Sequence, residues 1–145
     1  MRVVAQRVSR ASVTVEDEVT GRIGPGLMLL VAMKGDESQE DLAWMANRIV
    51  GLRVFRDDQD KMNRSLIEVG GELLVISQFT LYGDCRKGRR PSFIEAGPPE
   101  LSAPLFERFL KELAAQGAIV ATGRFGAMMQ VELVNDGPVT LILER

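Results

Sequence analysis

The stretch Gln130–Glu144, QVELVNDGPVTLILE, sets two alternating apolar segments on either side of Asn135–Thr140, and the reading of its middle decides how the chain closes. Asp136-Gly137 between apolar runs is a strong signal for a tight β-turn, because glycine reaches positive φ without steric cost. The flanking segments then read as the two arms of a hairpin. Pro138 complicates this reading, since it stands where the returning arm should begin. A proline there removes a ladder donor, fixes φ and makes Gly137–Pro138 one of the few bonds open to the cis form.

Working back from that stretch, the chain opens with further strand signals. RVVAQRV and SVTVEDEVTGRI are rich in Val and Thr, and the acidic tip Glu16-Asp17-Glu18 predicts a hairpin. LMLLVAM, Leu27 to Met33, is a continuous apolar run bounded by turn residues, the pattern of a strand buried on both faces. Ser38-Gln39-Glu40-Asp41 has the form of a capping box, and Leu42, Met45, Ala46, Ile49 and Val50 follow at helical spacing. Trp44 falls at the edge of that stripe, a packing position. RVF resumes strand character, RDDQDKMN is a polar turn, and GGELLVISQFTL is a second long strand. Pro98-Pro99-Glu100 opens another helix, with Leu101, Leu105, Phe106, Phe109, Leu110 and Leu113 on one stripe, Pro104 in or near its first turn and Gly117 ending it. Many antiparallel strands and two main helices predict an α+β domain, a curved antiparallel sheet or barrel with the helices packed on one side.

Composition narrows the function. With 145 residues the chain fits one domain that buries roughly two-thirds of its unfolded surface. A content of 46% hydrophobic and 26% charged residues is ordinary for a globular protein, and no apolar run is long enough to span a bilayer. The N-terminal segment lacks the apolar core of a signal peptide, so the default expectation is a cytoplasmic protein without a membrane partner. The single cysteine, Cys85, forms no internal disulfide and supplies no zinc site alone. There is no histidine, which removes Ser-His-Asp and Cys-His mechanisms and the commonest transition-metal ligand. No metal or cofactor is expected.

Familiar motifs fail on spacing. Neither G-x-x-x-x-G-K-[ST] nor G-x-G-x-x-G occurs. CRKGRR invites comparison with a cysteine phosphatase loop, but that loop closes on an arginine and Pro91 stands in its place. Asp57, Asp58 and Asp60 fit a solvated turn better than a paired-carboxylate site. The net charge of −2 does not point to nucleic acid, yet Arg86, Lys87, Arg89 and Arg90 make one dense basic run, either a solvated loop or a phosphate contact. Ser77, Gln78 and Thr80 end an apolar strand, where polar groups are costly to bury without partners; they mark a site or a strand emerging into solvent.

Taken together, SQFTL, RRPSF, TGRF, MQVELVNDGPVT and the N-terminal QRVSRASVTV resemble the D-aminoacyl-tRNA deacylase family. The resemblance spans residues 1–145 as one such domain, and SQFTL and N-x-G-P-x-T are specific when they occur together. It implies a homodimeric cytoplasmic esterase that hydrolyses the bond between a D-amino acid and tRNA, with no DNA partner. It further implies a cis Gly137–Pro138 bond whose turn enters the partner subunit's active site and excludes L side chains, so that achiral glycine on tRNA should also be accepted. Backbone amides around Gln78, Phe79 and Thr80 would form an oxyanion hole, with Ser77 in support. Thr80 lacks a base, so a water assisted by the terminal ribose hydroxyl is the preferred nucleophile. Asn135 and Thr140 would hold the turn, Arg7 would brace it, and Arg86, Lys87, Arg89 and Arg90 would meet tRNA phosphates. Gly126-Ala127-Met128 and Cys85 depart from some relatives without touching the signature motifs. A tRNA- or RNA-binding module without chemistry is the alternative reading, and a purely structural dimerisation domain a third.

Overall fold

The computed structural model describes residues 1–145. Strand β1, Arg2–Val15, is the spine of the sheet: its side chains alternate between faces on either side of Arg7–Arg10, where the alternation breaks and the register with the C-terminal strand shifts. The turn at Glu16 and Asp17, both at positive φ, returns the chain as β2, Glu18–Ile23, which pairs with the far half of β1. Strand β3, Gly26–Ala32, then pairs antiparallel with the near half, Arg2 to Val8. The expectation that LMLLVAM is buried on both faces holds: Leu27, Leu29 and Val31 enter one core and Met28 the other.

Helix α1, Gln39–Val50, starts at the predicted capping box. The Ser38 hydroxyl accepts from the Asp41 amide, and the Asp41 carboxylate accepts from the Ser38 amide. Its buried stripe is Leu42, Met45, Ala46, Ile49 and Val50. A short ribbon follows, β4 at Phe55–Arg56 and β5 at Met62–Arg64. Its turn is built on Asp57, whose carboxylate accepts from the amides of Gln59 and Lys61. Strand β6, Glu72–Ser77, lies beside β3. Helix α2, Pro99–Ala115, leads to Gly117 at positive φ and then to β7, Ile119–Thr122, beside β6. Pro104 lies inside α2.

The α+β class, the curved sheet and the two helices are as expected, but the sheet is mixed. Strands β3 and β6 pair in parallel, as do β6 and β7, because α1 and α2 each serve as the crossover between them. Both helices cover one face, where Leu42, Met45, Ile49, Phe106, Phe109 and Leu113 meet Val3, Leu29 and Val75. On the other face the sheet curls over Val8, Val13, Ile23, Met28, Leu74 and Ile76. Closure is nearly complete: a Cβ on Gly21 of β2 would lie 2.8 Å from the carbonyl oxygen of Thr122 in β7, so only glycine allows this approach. No helix is long and apolar enough to cross a membrane.

The main difference from the sequence reading lies at the C-terminus. Gln130–Glu144 is not a hairpin. It is one strand, β8, running antiparallel to β1 from Thr14↔Gln130 to Arg2↔Glu144. The register breaks where Asn135 faces Val8 and Thr140 faces Gln6, so Asp136 to Val139 stand opposite Arg7 alone. NDGPVT is therefore a wide bulge that lifts Gly137 and Pro138 off the sheet, and the Gly137–Pro138 bond is cis.

Candidate active site

Strand β6 stops at Ser77, four residues short of the end of the predicted strand GGELLVISQFTL, and the chain turns into a 3₁₀ turn, Phe79–Tyr82. The entry to the turn stays fixed to the sheet because the Gln78 amide donates to the Val31 carbonyl at 2.7 Å. The first amides of a helical turn have no partner within it, and Gln78 supplies no side-chain cap. At the far end, Gly83 donates to the Thr80 carbonyl at 2.9 Å.

Ser77, Gln78, Phe79 and Thr80 line one cleft of 790 Å³. Its walls are Phe93, Phe106 and Phe125, with Met33, Met128 and Met129. Phe79 and Phe93 meet edge to face with centroids 5.3 Å apart at the mouth, and Met128 is 92% exposed beside them. A mostly apolar hollow carrying a few polar groups has the character of a small-ligand site. The Thr80 hydroxyl accepts from the Gln78 side-chain amide at 2.5 Å. This bond ties Gln78 to Thr80 and supplies no base to the threonine.

Gly137 and Pro138 do not line that cleft; they stand exposed on the bulge of β8. The bulge is tied down with care. Arg7 is only 2% exposed, yet its Nε donates to the Asp136 carbonyl at 3.0 Å and pairs with the Asp136 carboxylate at 3.0 Å, while Nη1 donates to the Val54 carbonyl. The Asn135 amide donates to the carbonyls of Arg7 at 2.9 Å and Val139 at 3.2 Å. Thr140 accepts from Gln6 at 3.2 Å. Thus Arg7, Asn135 and Thr140 are brought together with Gly137 and Pro138, and Ser77, Gln78, Phe79 and Thr80 form a separate group on the same chain.

The basic run forms an exposed loop closed by a bridge between Asp84 and Ser92, with Gly88 at positive φ. Its cations divide. Arg86 forks onto Asp84 through Nε at 2.9 Å and Nη2 at 2.8 Å, and these hydrogen bonds hold the Asp84 carboxyl down at about 2. Lys87, Arg89 and Arg90 are exposed and make no ion pair. Cys85 is exposed in the same loop.

Two residues beside the cleft carry no sequence signal. Arg2 donates from Nη1 to the Leu81 carbonyl at 2.6 Å, and its guanidinium carbon lies 4.9 Å from the centre of the Tyr82 ring. Burial pushes the Tyr82 hydroxyl up to about 12, so it stays neutral.

With this geometry in view, the sequence model of the family described as D-Tyr-tRNA(Tyr) deacylase matches residues 4–144. The chain belongs to that family. It is 57% identical over 145 residues to the D-aminoacyl-tRNA deacylase of an Exiguobacterium species, covering 100% of this chain and 99% of the relative. The D-aminoacyl-tRNA deacylase of Clostridioides difficile is 53% identical over 144 residues, covering 99% and 97%. Among solved structures, one titled c-Myc DNA Unwinding Element Binding Protein superposes with a TM-score of 0.93 at 40% identity, over 100% of this chain and 99% of that one. A probable eukaryotic D-amino acid tRNA deacylase superposes at 0.84 and 22% identity over 98% and 97%, and so shares the fold. Within the D-Tyr-tRNA(Tyr) deacylase family, the cleft at Ser77–Thr80 and the bulge at Asn135–Thr140 are this chain's two candidate functional features.

Proposed function

We propose that the chain hydrolyses the ester linking a D-amino acid to the 3′ end of tRNA, and that it acts as a homodimer in which the Gly137–Pro138 bulge of each subunit enters the cleft of the other. The observation that carries this reading is the pairing, in one member of the deacylase family, of an apolar cleft ending at uncapped turn amides with an exposed, braced bulge that lies outside that cleft. The amides of Phe79 and Thr80 stabilise the charge that develops on the ester carbonyl, and the Ser77 and Gln78 backbone leads into that turn. The bulge holds the α-ammonium with carbonyl oxygens and leaves no space for an L side chain. Selection by exclusion cannot reject glycine, so glycyl-tRNA is a second substrate. Lys87, Arg89 and Arg90 meet the phosphates, while Arg86 shapes the loop through Asp84. The protein is expected to need no metal or cofactor.

The nucleophile is a water assisted by the terminal ribose hydroxyl, since the chain has no histidine and Thr80 bonds only to Gln78. Thr80→Ala should therefore keep turnover within about tenfold of the parent, the upper loss expected when one hydrogen-bonding group near the site is removed. Loss of all turnover in that variant, joined to a covalent aminoacyl adduct on the parent, would assign the attack to Thr80.

The decisive assay compares hydrolysis of D- and L-tyrosyl-tRNA by the purified protein after exhaustive chelation. Release of D-tyrosine with the L-ester left intact supports the proposed enzyme. Tight tRNA binding without hydrolysis of either ester would instead favour a binding module built on the three unpaired cations of the basic loop.

A further inference from the structure

The 3₁₀ turn that presents the Phe79 and Thr80 amides is exposed on its outer side, and 3₁₀ hydrogen bonds have poor geometry. Such a turn needs an outside support if its amides are to point in one direction. Its entry has one, in the bond from Gln78 to Val31. Its exit is held by a residue from the other end of the chain. Arg2 Nη1 donates to the Leu81 carbonyl at 2.6 Å, a charge-assisted bond to the turn's own backbone. Its Nε is engaged by the Glu144 carboxylate at 2.5 Å, so the planar guanidinium is fixed from two sides. The plane lies against Tyr82, the last residue of the turn, with Lys34 Nζ 5.6 Å from the same ring's centre.

The arrangement is a poor stabilising device. The side chains of Arg2 and Glu144 are 35% and 58% exposed, and a pair in that setting contributes little to folding. What it does well is fix the orientation of one peptide group, and in a turn this short the carbonyl of Leu81 and the amides of Phe79 and Thr80 tilt together.

We propose that Arg2 is a positioning residue for the deacylation reaction: through Leu81 and Tyr82 it sets the direction of the amides that stabilise the developing oxyanion. This inference rests on the reaction proposed above. Arg2 acts through the turn and does not itself touch the ester, so its removal misaims donors that matter in the transition state more than in the bound ground state.

The test compares the parent with Arg2→Met, Arg2→Lys and Glu144→Gln on D-tyrosyl-tRNA, with backbone hydrogen exchange recorded on the same proteins. Arg2→Met should lower kcat by about tenfold or more, the scale of a sub-ångström to ångström misplacement, with KM within about twofold. Arg2→Lys should recover part of the loss, since an ammonium still reaches Leu81 but lacks the rigid planar guanidinium whose separate nitrogens span Leu81 and Glu144. Glu144→Gln should cost least. Exchange in Phe79–Gly83 should quicken in Arg2→Met while amides of β3 stay protected. An unchanged kcat in Arg2→Met would overturn the proposal, as would a raised KM with kcat intact, which would place Arg2 on the substrate. Exchange that rises through the whole sheet would make its role one of stability. If the parent itself failed to hydrolyse the ester, the reaction assigned above would fall, and local exchange would still decide whether Arg2 braces the turn.

Discussion

Replacing Gly137 with alanine is expected to reduce the preference for the D over the L ester by about tenfold or more. A Cβ at this position would lie 2.6 Å from the Asn135 side-chain oxygen and 3.3 Å from the Val139 amide nitrogen. Asn135 has little freedom to yield, because its amide group spans the neck of the bulge between the Arg7 and Val139 carbonyls. Below, Arg7 is anchored on Asp136 and Val54. The added methyl group therefore displaces the exposed backbone instead of a flexible side chain. A filter that works by steric exclusion is sensitive to such a shift, and about 1 Å of misplacement can cost a hundredfold. Parallel single-turnover rates for D- and L-tyrosyl-tRNA measure the effect, with the L-ester gaining and the D-ester losing. Asn135→Ala, which frees the same neck without adding a Cβ, should move the ratio in the same direction. Two variants with the parent's D to L ratio would remove the bulge from chiral selection.

A second large effect concerns stability. Glu37→Ala should cost about 3–5 kcal/mol, the penalty for breaking a buried pair from one side. The Glu37 carboxylate meets the N-terminal ammonium of Met1 at 3.1 Å, and both groups are buried. It also accepts from the Lys34 amide at 2.7 Å and the Gly35 amide at 3.0 Å. Burial alone would push the Glu37 carboxyl up, but the Lys34 amide, the N-terminal ammonium and the Gly35 amide outweigh it and hold it below its ordinary range. Because the folded value is the lower one, the stabilisation is full above the unfolded carboxyl range near 4.5 and is lost as pH falls through the depressed folded value. Urea unfolding at neutral pH and again in acid should show the parent approaching the Glu37→Ala curve only in acid. A variant equal to the parent at neutral pH would contradict this account.

Much of this architecture was legible where local pattern and tertiary outcome agree. The capping box and apolar stripe of α1 fix that helix in sequence and in space, and an apolar run bounded by turn residues and too short for a buried helix reads as a central strand. The reading failed where a distant partner overruled a local signal. Asp136-Gly137 says turn, but β1 offers pairing on both sides of it, and continuing the ladder outweighs reversing the chain. The parallel pairs were missed although β3 and β6 carry the continuous apolar runs that parallel strands favour, and the helix before each of β6 and β7 is the further hint of a crossover. At the candidate site, Ser77–Thr80 was visible because polar groups ending an apolar strand are conspicuous. Arg2 and Glu37 were not, because a charge gives no sign of its partner until the ends of the chain meet. Within the basic run, sequence cannot tell the arginine that closes the loop from the cations left facing water.

Strand β8 pairs only with β1, which leaves fifteen residues with an open outer edge. A straight edge of that length, with Leu141 and Ile142 exposed on it, is a template for uncontrolled recruitment of foreign strands. The break at Asn135–Thr140 divides it into two short pieces, and Pro138 offers no amide to an incoming chain. The bulge proposed for chiral selection also shortens the straight edge open to an incoming strand, so variants that flatten it should be watched for aggregation as closely as for activity.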